Sequence, residues 1–196
     1  MNKLAYIVAA SALVVPAFGQ GSVNVNNRGL TPAQLVTSSV APTFSPLSGT
    51  SFVAQIVYGA NGSTPATVLG ANMPFRASTS SFVGTWNPGA EGIRTLTGFD
   101  TGATVAMRVR VWDSNVFSSW DAASAALTAG GHLGAATEAG VSSVFTYTVG
   151  AASDPSSQSI VNFRGFQLTA IPTVPEPTTI ALGALGAAAL LWRRRK

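Results

Sequence analysis

The sequence predicts an all-β domain, an antiparallel β-sandwich of about seven or eight strands with one short helix, followed by a C-terminal transmembrane helix. Three observations support this fold class. Short apolar segments alternate with polar residues, turn residues separate these segments, and an uncharged run rich in Ala, Leu and Gly lies near the C-terminus. Alternating strands separated by turns are typical of a sandwich whose two sheets each bury one face.

The strands in the first half of the chain are predicted from alternation and from apolar runs. Val23 and Val25 alternate with asparagines in residues 20–27, whereas residues 51–58 are apolar on both faces, which favours a central strand. Asn61-Gly62 is a strong hairpin signal, with residues 66–69 as the returning strand. The same asparagine begins a glycosylation sequon, and the turn is the favoured interpretation. Further strands are predicted at residues 82–86 and 93–96.

The clearest strand is predicted at residues 104–112, because its apolar residues recur at every second position. One face carries a purely apolar set, and the opposite face carries a mixed set that includes two arginines. The first set is Val105, Met107, Val109 and Val111, and the second is Thr104, Ala106, Arg108, Arg110 and Trp112.

One helix is predicted inside the domain, at residues 119–129. Ser119 can cap its N-terminus, and Gly130-Gly131 can end it. A strand follows at residues 144–149. The last predicted strand, residues 160–170, changes the parity of its apolar residues at Gly165, where a β-bulge would keep both halves facing the core.

The N-terminus predicts export. Lys3 precedes the apolar residues 4–15, Pro16 breaks this segment, and Ala17-Phe18-Gly19 provides small residues for cleavage after Gly19. A transmembrane anchor is the alternative, but twelve apolar residues are too few for one. The predicted organisation is a signal peptide at 1–19, a β-sandwich passenger domain at 20–173 and a separate C-terminal segment at 174–196.

Charge and composition exclude several functions. The net charge of +4 comes from the two ends of the chain, because residues 20–173 hold six arginines and six acidic residues. We therefore expect no nucleic-acid partner. The chain has no cysteine and one histidine, His132, in a glycine-rich loop where a solvent-exposed side chain is expected. Asp100 is predicted to form a turn rather than a calcium site. We expect no catalytic site, no metal and no cofactor.

The last 23 residues contain three features in a fixed order. Glu176 is held between two prolines on an extended stalk, because proline fixes φ and restricts the residue before it. The uncharged run that follows suits a helix in lipid, but its 16 residues at 177–192 are fewer than the roughly 20 that a spanning helix needs. The chain then closes with cations that remain on the cytoplasmic side, namely Arg193, Arg194, Arg195 and Lys196.

This arrangement closely resembles the PEP-CTERM sorting signal. The matching parts are Val174-Pro175-Glu176-Pro177, the Ala/Leu/Gly helix at residues 178–192 and the terminal basic cluster. The resemblance implies an exosortase as partner, a membrane-embedded cysteine transpeptidase of Gram-negative bacteria that cuts near the Pro-Glu-Pro sequence. It also implies an exported protein that passes through the inner membrane to the cell surface or extracellular matrix. An ordinary tail anchor behind a proline-rich linker is the alternative.

Trp86, Trp112 and Trp120 are the candidate ligand contacts of the domain. An exposed indole ring is a flat apolar face on which a sugar ring can stack. A surface carbohydrate-binding module is therefore the alternative function, with extracellular polysaccharide as its partner. Packing in the core or beneath loops is the favoured interpretation for each tryptophan. The expected function is that of a structural or matrix protein of the cell surface, which acts by display and contact.

Overall fold

The computed structural model of the chain describes residues 20–28, 30, 34–39, 45–151, 159–174 and 177–194. These residues form nine β-strands and two α-helices. The strands are β1 (Gln20–Asn24), β2 (Phe52–Ala60), β3 (Thr67–Val68), β4 (Met73–Pro74), β5 (Ile93–Asp100), β6 (Thr104–Asp113), β7 (Thr137–Val141), β8 (Phe145–Thr148) and β9 (Thr169–Ile171), and the helices are α1 (Trp120–Ala129) and α2 (Pro177–Arg193). The predicted signal peptide, residues 1–19, lies outside the described residues.

The strands form two antiparallel sheets. β1 and β5 make a two-stranded sheet, and the other seven strands make a sheet with the order β3-β2-β6-β7-β9, in which β4 also pairs with β2 and β8 with β6. β2 and β6 form its centre, in register from Phe52 opposite Asp113 to Ala60 opposite Val105. The predicted antiparallel all-β architecture is confirmed, and so is the central position of the strand at residues 51–58.

The main core lies between the two sheets. The four residues predicted to share one face of β6 are fully buried there, together with Ile56 of β2, Val23 of β1 and Leu96 of β5. Two tyrosine hydroxyls connect the sheets across this core. Tyr147 donates to the Ser22 carbonyl at 2.8 Å, and Tyr58 donates to the Thr97 carbonyl at 3.4 Å. The small sheet is therefore held against one face of the large one.

A second apolar cluster lies on the opposite face of the large sheet, beneath α1. Trp112 and Val53 contact Ala123 and Ala126 of the helix in this cluster. The helix forms as predicted: the Ser119 side chain accepts a hydrogen bond from the Ala122 amide at 3.3 Å, and Gly130 ends it with a φ of 71°. α1 therefore covers one end of a sheet face that bears arginines further along β6.

Two features of the predicted strand pattern are wrong. Residues 82–84 form a turn instead of a strand, and Trp86 makes one isolated bridge to Phe75, because Gly84 has a φ of 83° that interrupts an extended backbone. β4 and β7 were not predicted. β7 reads Thr-Glu-Ala-Gly-Val, and four of its five residues are buried. The strand has no alternation of apolar and polar residues from which it could have been predicted. Its residues are buried because neighbouring strands and the helix cover them.

The predicted strand at residues 160–170 with a bulge at Gly165 is also wrong. Residues 161–162 form a turn, in which the Phe163 amide donates to the Ile160 carbonyl at 2.9 Å, and only Thr169–Ile171 forms a strand. Val161 is 62% exposed while Phe163 is fully buried. The turn places Val161 and Phe163 in different surroundings, and residues 163–166 are not in a strand, so their parity has no bearing on a core face. Gly165 instead lies against the backbone of Leu35, where a Cβ would overlap the Leu35 carbonyl oxygen.

Candidate functional site in the C-terminal segment

The C-terminal segment leaves the domain beside the loop that ends α1. β9 is the last strand and pairs with β7. Beyond it, the His132 amide donates to the Pro172 carbonyl at 3.1 Å, and the Val174 amide donates to the His132 carbonyl at 2.9 Å. Residues 172–174 therefore run parallel to the loop, with Thr173 opposite His132. Val174, the first residue of the predicted motif, is attached to the domain by its backbone.

The close approach of this loop depends on a glycine. A Cβ at Gly131 would overlap Val174 Cγ2 and would lie 3.2 Å from the Pro172 carbonyl oxygen. The sequence predicted Gly130-Gly131 only as a helix end. The structure separates the two roles, because Gly130 adopts the left-handed cap and Gly131 makes room for the departing chain.

His132 packs against the domain. Its ring is half-buried, and its centroid lies 4.9 Å from that of Phe117. The prediction of a solvent-exposed loop histidine is therefore wrong, because the loop is clamped between Phe117 and residues 172–174. The contacts of His132 fix the position at which the chain leaves the domain.

The motif itself connects the domain to α2. Val174 is attached as described above, and α2 begins at Pro177. Proline suits the first position of a helix, where a backbone amide has no partner within the helix. Pro175 and Glu176 lie outside the described residues, as do Arg195 and Lys196. Only two residues therefore separate the last docked residue from the first residue of the helix.

α2 exposes nearly all of its described apolar side chains. Leu182 and Trp192 are each 73% exposed, and Leu185, Leu190 and Leu191 are exposed to a similar degree. Arg193 ends the helix and Arg194 follows it, both exposed. Among the residues that the structure describes, no helix combines the length and the apolar character needed to cross a membrane. The predicted C-terminal transmembrane helix is therefore not confirmed.

The three candidate tryptophans do not form an exposed platform. Trp86 is fully buried and donates its indole N–H to the Val25 carbonyl at 2.6 Å, and Trp112 is 1% exposed and donates to the Phe117 carbonyl at 3.1 Å. Neither ring is open to a sugar, so packing in the core or beneath a loop, the favoured interpretation, is confirmed for both, and the alternative of a glycan contact is excluded for them. Trp120 is half-buried at the start of α1, with its ring centroid 6.2 Å from that of Trp112.

The polar cavity beside β7 is lined by a carboxylate, that of Glu138, whose hydrogen bonds are structural. It has a volume of about 310 Å³ and contains the buried Glu138 side chain. One carboxylate oxygen of Glu138 accepts hydrogen bonds from the Ser38 hydroxyl, the Ser39 amide and the Ser39 hydroxyl at 2.8 to 2.9 Å. These bonds attach residues 38–39 to β7. Within the described part of the chain, no group of three or more His, Cys, Asp or Glu residues could hold a metal ion.

Comparison with known proteins identifies the C-terminal segment. Residues 173–196 match the family model of the PEP-CTERM protein-sorting motif. The chain therefore carries a PEP-CTERM motif, and the resemblance predicted from Val174-Pro175-Glu176-Pro177, the helix and the basic cluster is confirmed. The match does not extend into the β domain. No curated protein and no solved structure matches the chain.

Proposed function

We propose that this chain is an exported cell-surface or extracellular-matrix protein of a Gram-negative bacterium, which an exosortase sorts through residues 174–196. The single observation that carries this proposal is the match of residues 173–196 to the PEP-CTERM motif. The passenger domain acts by display and contact and is not an enzyme. The buried Glu138 carboxylate and the His132 ring are engaged in local structure, which is consistent with a non-catalytic role.

The exposed apolar helix supports transient attachment to the inner membrane. α2 offers leucines and a tryptophan to its surroundings, and water is a poor environment for such a surface. We infer that residues 178–192 enter the membrane while Arg193, Arg194, Arg195 and Lys196 remain at its cytoplasmic side. Because the apolar run is short, its hold on the membrane is marginal. A weak attachment to the membrane suits a protein that is cleaved there and then released to the cell surface.

The docked linker supports cleavage at a defined place. The hydrogen bonds of Pro172 and Val174 to His132 bring the folded domain to the edge of the motif. Glu176 follows two residues later, between prolines, and is the one acidic residue of the C-terminal segment. We infer that the exosortase recognises this carboxylate at a fixed distance from both the domain and the membrane.

The alternative, a carbohydrate-binding module built on Trp86, Trp112 and Trp120, loses its main support. Two of these rings are closed off inside the domain with their N–H groups bonded to backbone carbonyls. Trp120 alone retains a partly open face. Binding of polysaccharide by the passenger therefore needs residues other than Trp86 and Trp112.

The experiment that tests the sorting role replaces Glu176 by Gln. This change keeps the size and the stalk geometry but removes the charge, so we expect processing to stop and the full-length chain to stay in the inner membrane. Glu91→Gln, the same change at an exposed position of the domain, is the matched control and should be processed normally. The measurement is an immunoblot of membrane and surface fractions in a host that carries the exosortase.

A second variant separates recognition from retention. Replacing Arg193, Arg194 and Arg195 together by Ala removes the cytoplasmic stop, so the chain should be held less firmly in the membrane fraction.

Normal processing of the Glu176→Gln variant would show that the motif is only a linker. The tail-anchor interpretation would then replace the proposal.

A further inference from the structure

A second candidate site lies on the outer face of the large sheet, where Arg108 and Arg110 stand two residues apart on β6. Side chains two apart on a strand share a face and lie about 7 Å from each other. Arg110 lies between Gln55 of β2 and Val141 of β7, and Arg108 lies opposite Val57 of β2. Both arginines are half-buried, so their stems lie on the sheet and cover it.

The two guanidinium groups have little to bind within the described chain. Arg108 makes no hydrogen bond or ion pair with a described residue, and its Nε is buried without an acceptor. Arg110 donates only one long hydrogen bond of 3.5 Å, to Gln55 Oε1. Buried donors in native proteins are nearly always paired, so an unpaired one calls for an explanation.

Arg94 shows how this domain treats an arginine whose role is structural. It is buried, and its guanidinium donates to the carbonyls of Leu69 at 2.5 Å and Ala71 at 2.7 Å. The fold therefore supplies backbone acceptors to Arg94, whereas no described residue supplies them to the pair on β6. Arg76 Nε is also buried without a partner, so it is the pairing of two arginines without backbone acceptors on one face that makes β6 a candidate site for an acceptor from outside the chain.

The electrostatics of the pair favour an anion. Burial lowers the pKa of Arg110, the nearby carboxylate of Asp121 raises that pKa in part, and the positive charge of Arg108 lowers it further. Two like charges thus share one face, with Asp121 as the countercharge acting on Arg110. A negative group placed between the guanidinium groups would relieve their repulsion and provide the missing acceptors.

The neighbours of the pair favour a sugar. The Arg110 guanidinium carbon lies 5.6 Å from the centre of the Trp120 ring, which is half-buried. On the other side, Gln55 donates to the side chain of Asn72 at 3.1 Å, and Asn72 is exposed. A flat indole and two primary amides beside a guanidinium pair are the groups that hold a sugar ring and its hydroxyls.

We propose that Arg108 and Arg110 bind carboxylate groups of an acidic polysaccharide, with Trp120 and Gln55 contacting its sugar rings. The planar fork of arginine matches a carboxylate through two parallel hydrogen bonds, which lysine cannot reproduce. The choice of a polysaccharide rests on the proposed function, because an exported surface protein meets such polymers outside the cell. The arginine pair would give the passenger domain a contact with the matrix.

The test measures binding of the full-length chain in detergent micelles to polygalacturonate, with neutral dextran as the second polymer. We expect binding to polygalacturonate, none to dextran, and a loss of affinity of about tenfold or more in Arg108→Gln/Arg110→Gln. Arg164→Gln is the matched control, because Arg164 is exposed and its bonds to described residues go to the nearby carbonyls of Val161 and Phe163. It should bind as the wild type does.

Three results would overturn the proposal. They are absence of polygalacturonate binding by the wild type, an equal loss in Arg164→Gln, and equally tight binding of polyglutamate through the same two arginines. The last result would assign the face to acidic peptides. A second double variant, Arg108→Lys/Arg110→Lys, keeps both charges and serves as a check in case the Gln variant folds poorly. It should also bind polygalacturonate more weakly than the wild type does. If it binds as tightly as the wild type, recognition by the guanidinium fork is excluded.

The outcome can be separated from that of the sorting proposal. The Arg108→Gln/Arg110→Gln variant should be processed normally by the exosortase, because β7 lies between β6 and β9, the strand that leads to residues 174–196. The Glu176→Gln variant should bind polygalacturonate as the wild type does. Failure of one assay therefore leaves the other intact.

Discussion

The β domain and α2 use their apolar side chains in opposite ways. Trp86 is fully buried among Phe75 and Phe163, whereas Trp192 at the end of α2 is 73% exposed. The domain surrounds Trp86 with aromatic rings from other parts of its own chain. The leucines of α2 are not covered by any described residue, so the apolar surroundings that suit them must come from elsewhere. One region buries its apolar side chains within the fold, and the other leaves them exposed.

The junction between the two regions is tight. Backbone hydrogen bonds attach Val174 to the His132 loop, and α2 begins three residues later. A long flexible linker would separate a sorting signal from its passenger. Here the folded domain reaches the signal, so changes in the His132 loop and changes in the motif are expected to influence each other.

Replacing one tryptophan in each region tests the contrast most directly. Trp86→Ala should lower the free energy of unfolding by about 3 to 5 kcal/mol, because it leaves a large cavity between Phe75 and Phe163. Trp192→Ala is the matched control and should leave that free energy unchanged. Denaturant titration of the full chain in mild detergent, followed by the signals of the remaining tryptophans, measures both. A comparable loss in the two variants would mean that α2 is part of the domain core.

A smaller effect is expected at Gly165. Gly165→Ala would place a Cβ against the Leu35 backbone, 2.9 Å from its amide nitrogen, and should cost about 2 kcal/mol because neither backbone can easily move. Gly92→Ala is the control, because the nearest atom to its new Cβ is 3.9 Å away. Its stability should stay within about 0.5 kcal/mol of the wild type. Equal stability of the two variants would show that residues 34–38 are not fixed against residue 165.

The smallest effect concerns the contact between the sheets. Tyr147→Phe removes the hydrogen bond to the Ser22 carbonyl and should lower stability by about 1 kcal/mol at neutral pH. Tyr58→Phe should cost less, because its bond to Thr97 is 3.4 Å long. The two variants therefore compare the stability contributed by a short and by a long hydrogen bond across the same core.

The cost of Tyr147→Phe should depend on pH. Burial raises the pKa of Tyr147, although a backbone hydrogen bond from Gly150 opposes the rise in part. A raised folded-state pKa means that folding favours the neutral hydroxyl. Its contribution to stability is therefore complete below the unfolded-state value of about 10 and is lost as the pH rises through the folded-state pKa. The difference between wild type and variant should shrink above about pH 10, and a constant difference would contradict the assignment.

The sequence alone revealed the sorting motif, the strand at residues 104–112 and the helix at residues 119–129. Each of these depends on neighbours in the chain. Glu176 between two prolines, valines at alternate positions and a serine cap with a glycine end are local signals, and local sterics and hydrogen bonding decide their structure.

Only the tertiary structure decided which surfaces are closed and which are open. Trp112 and Arg110 belong to the same face of β6, yet α1 covers the first and leaves the second half-exposed. Gly165 is predicted as a bulge by parity, but it is a contact point because Leu35, 130 positions earlier, lies against it. These outcomes depend on pairings between distant segments. Periodicity records the face to which a side chain points, and only the folded chain determines what meets it there.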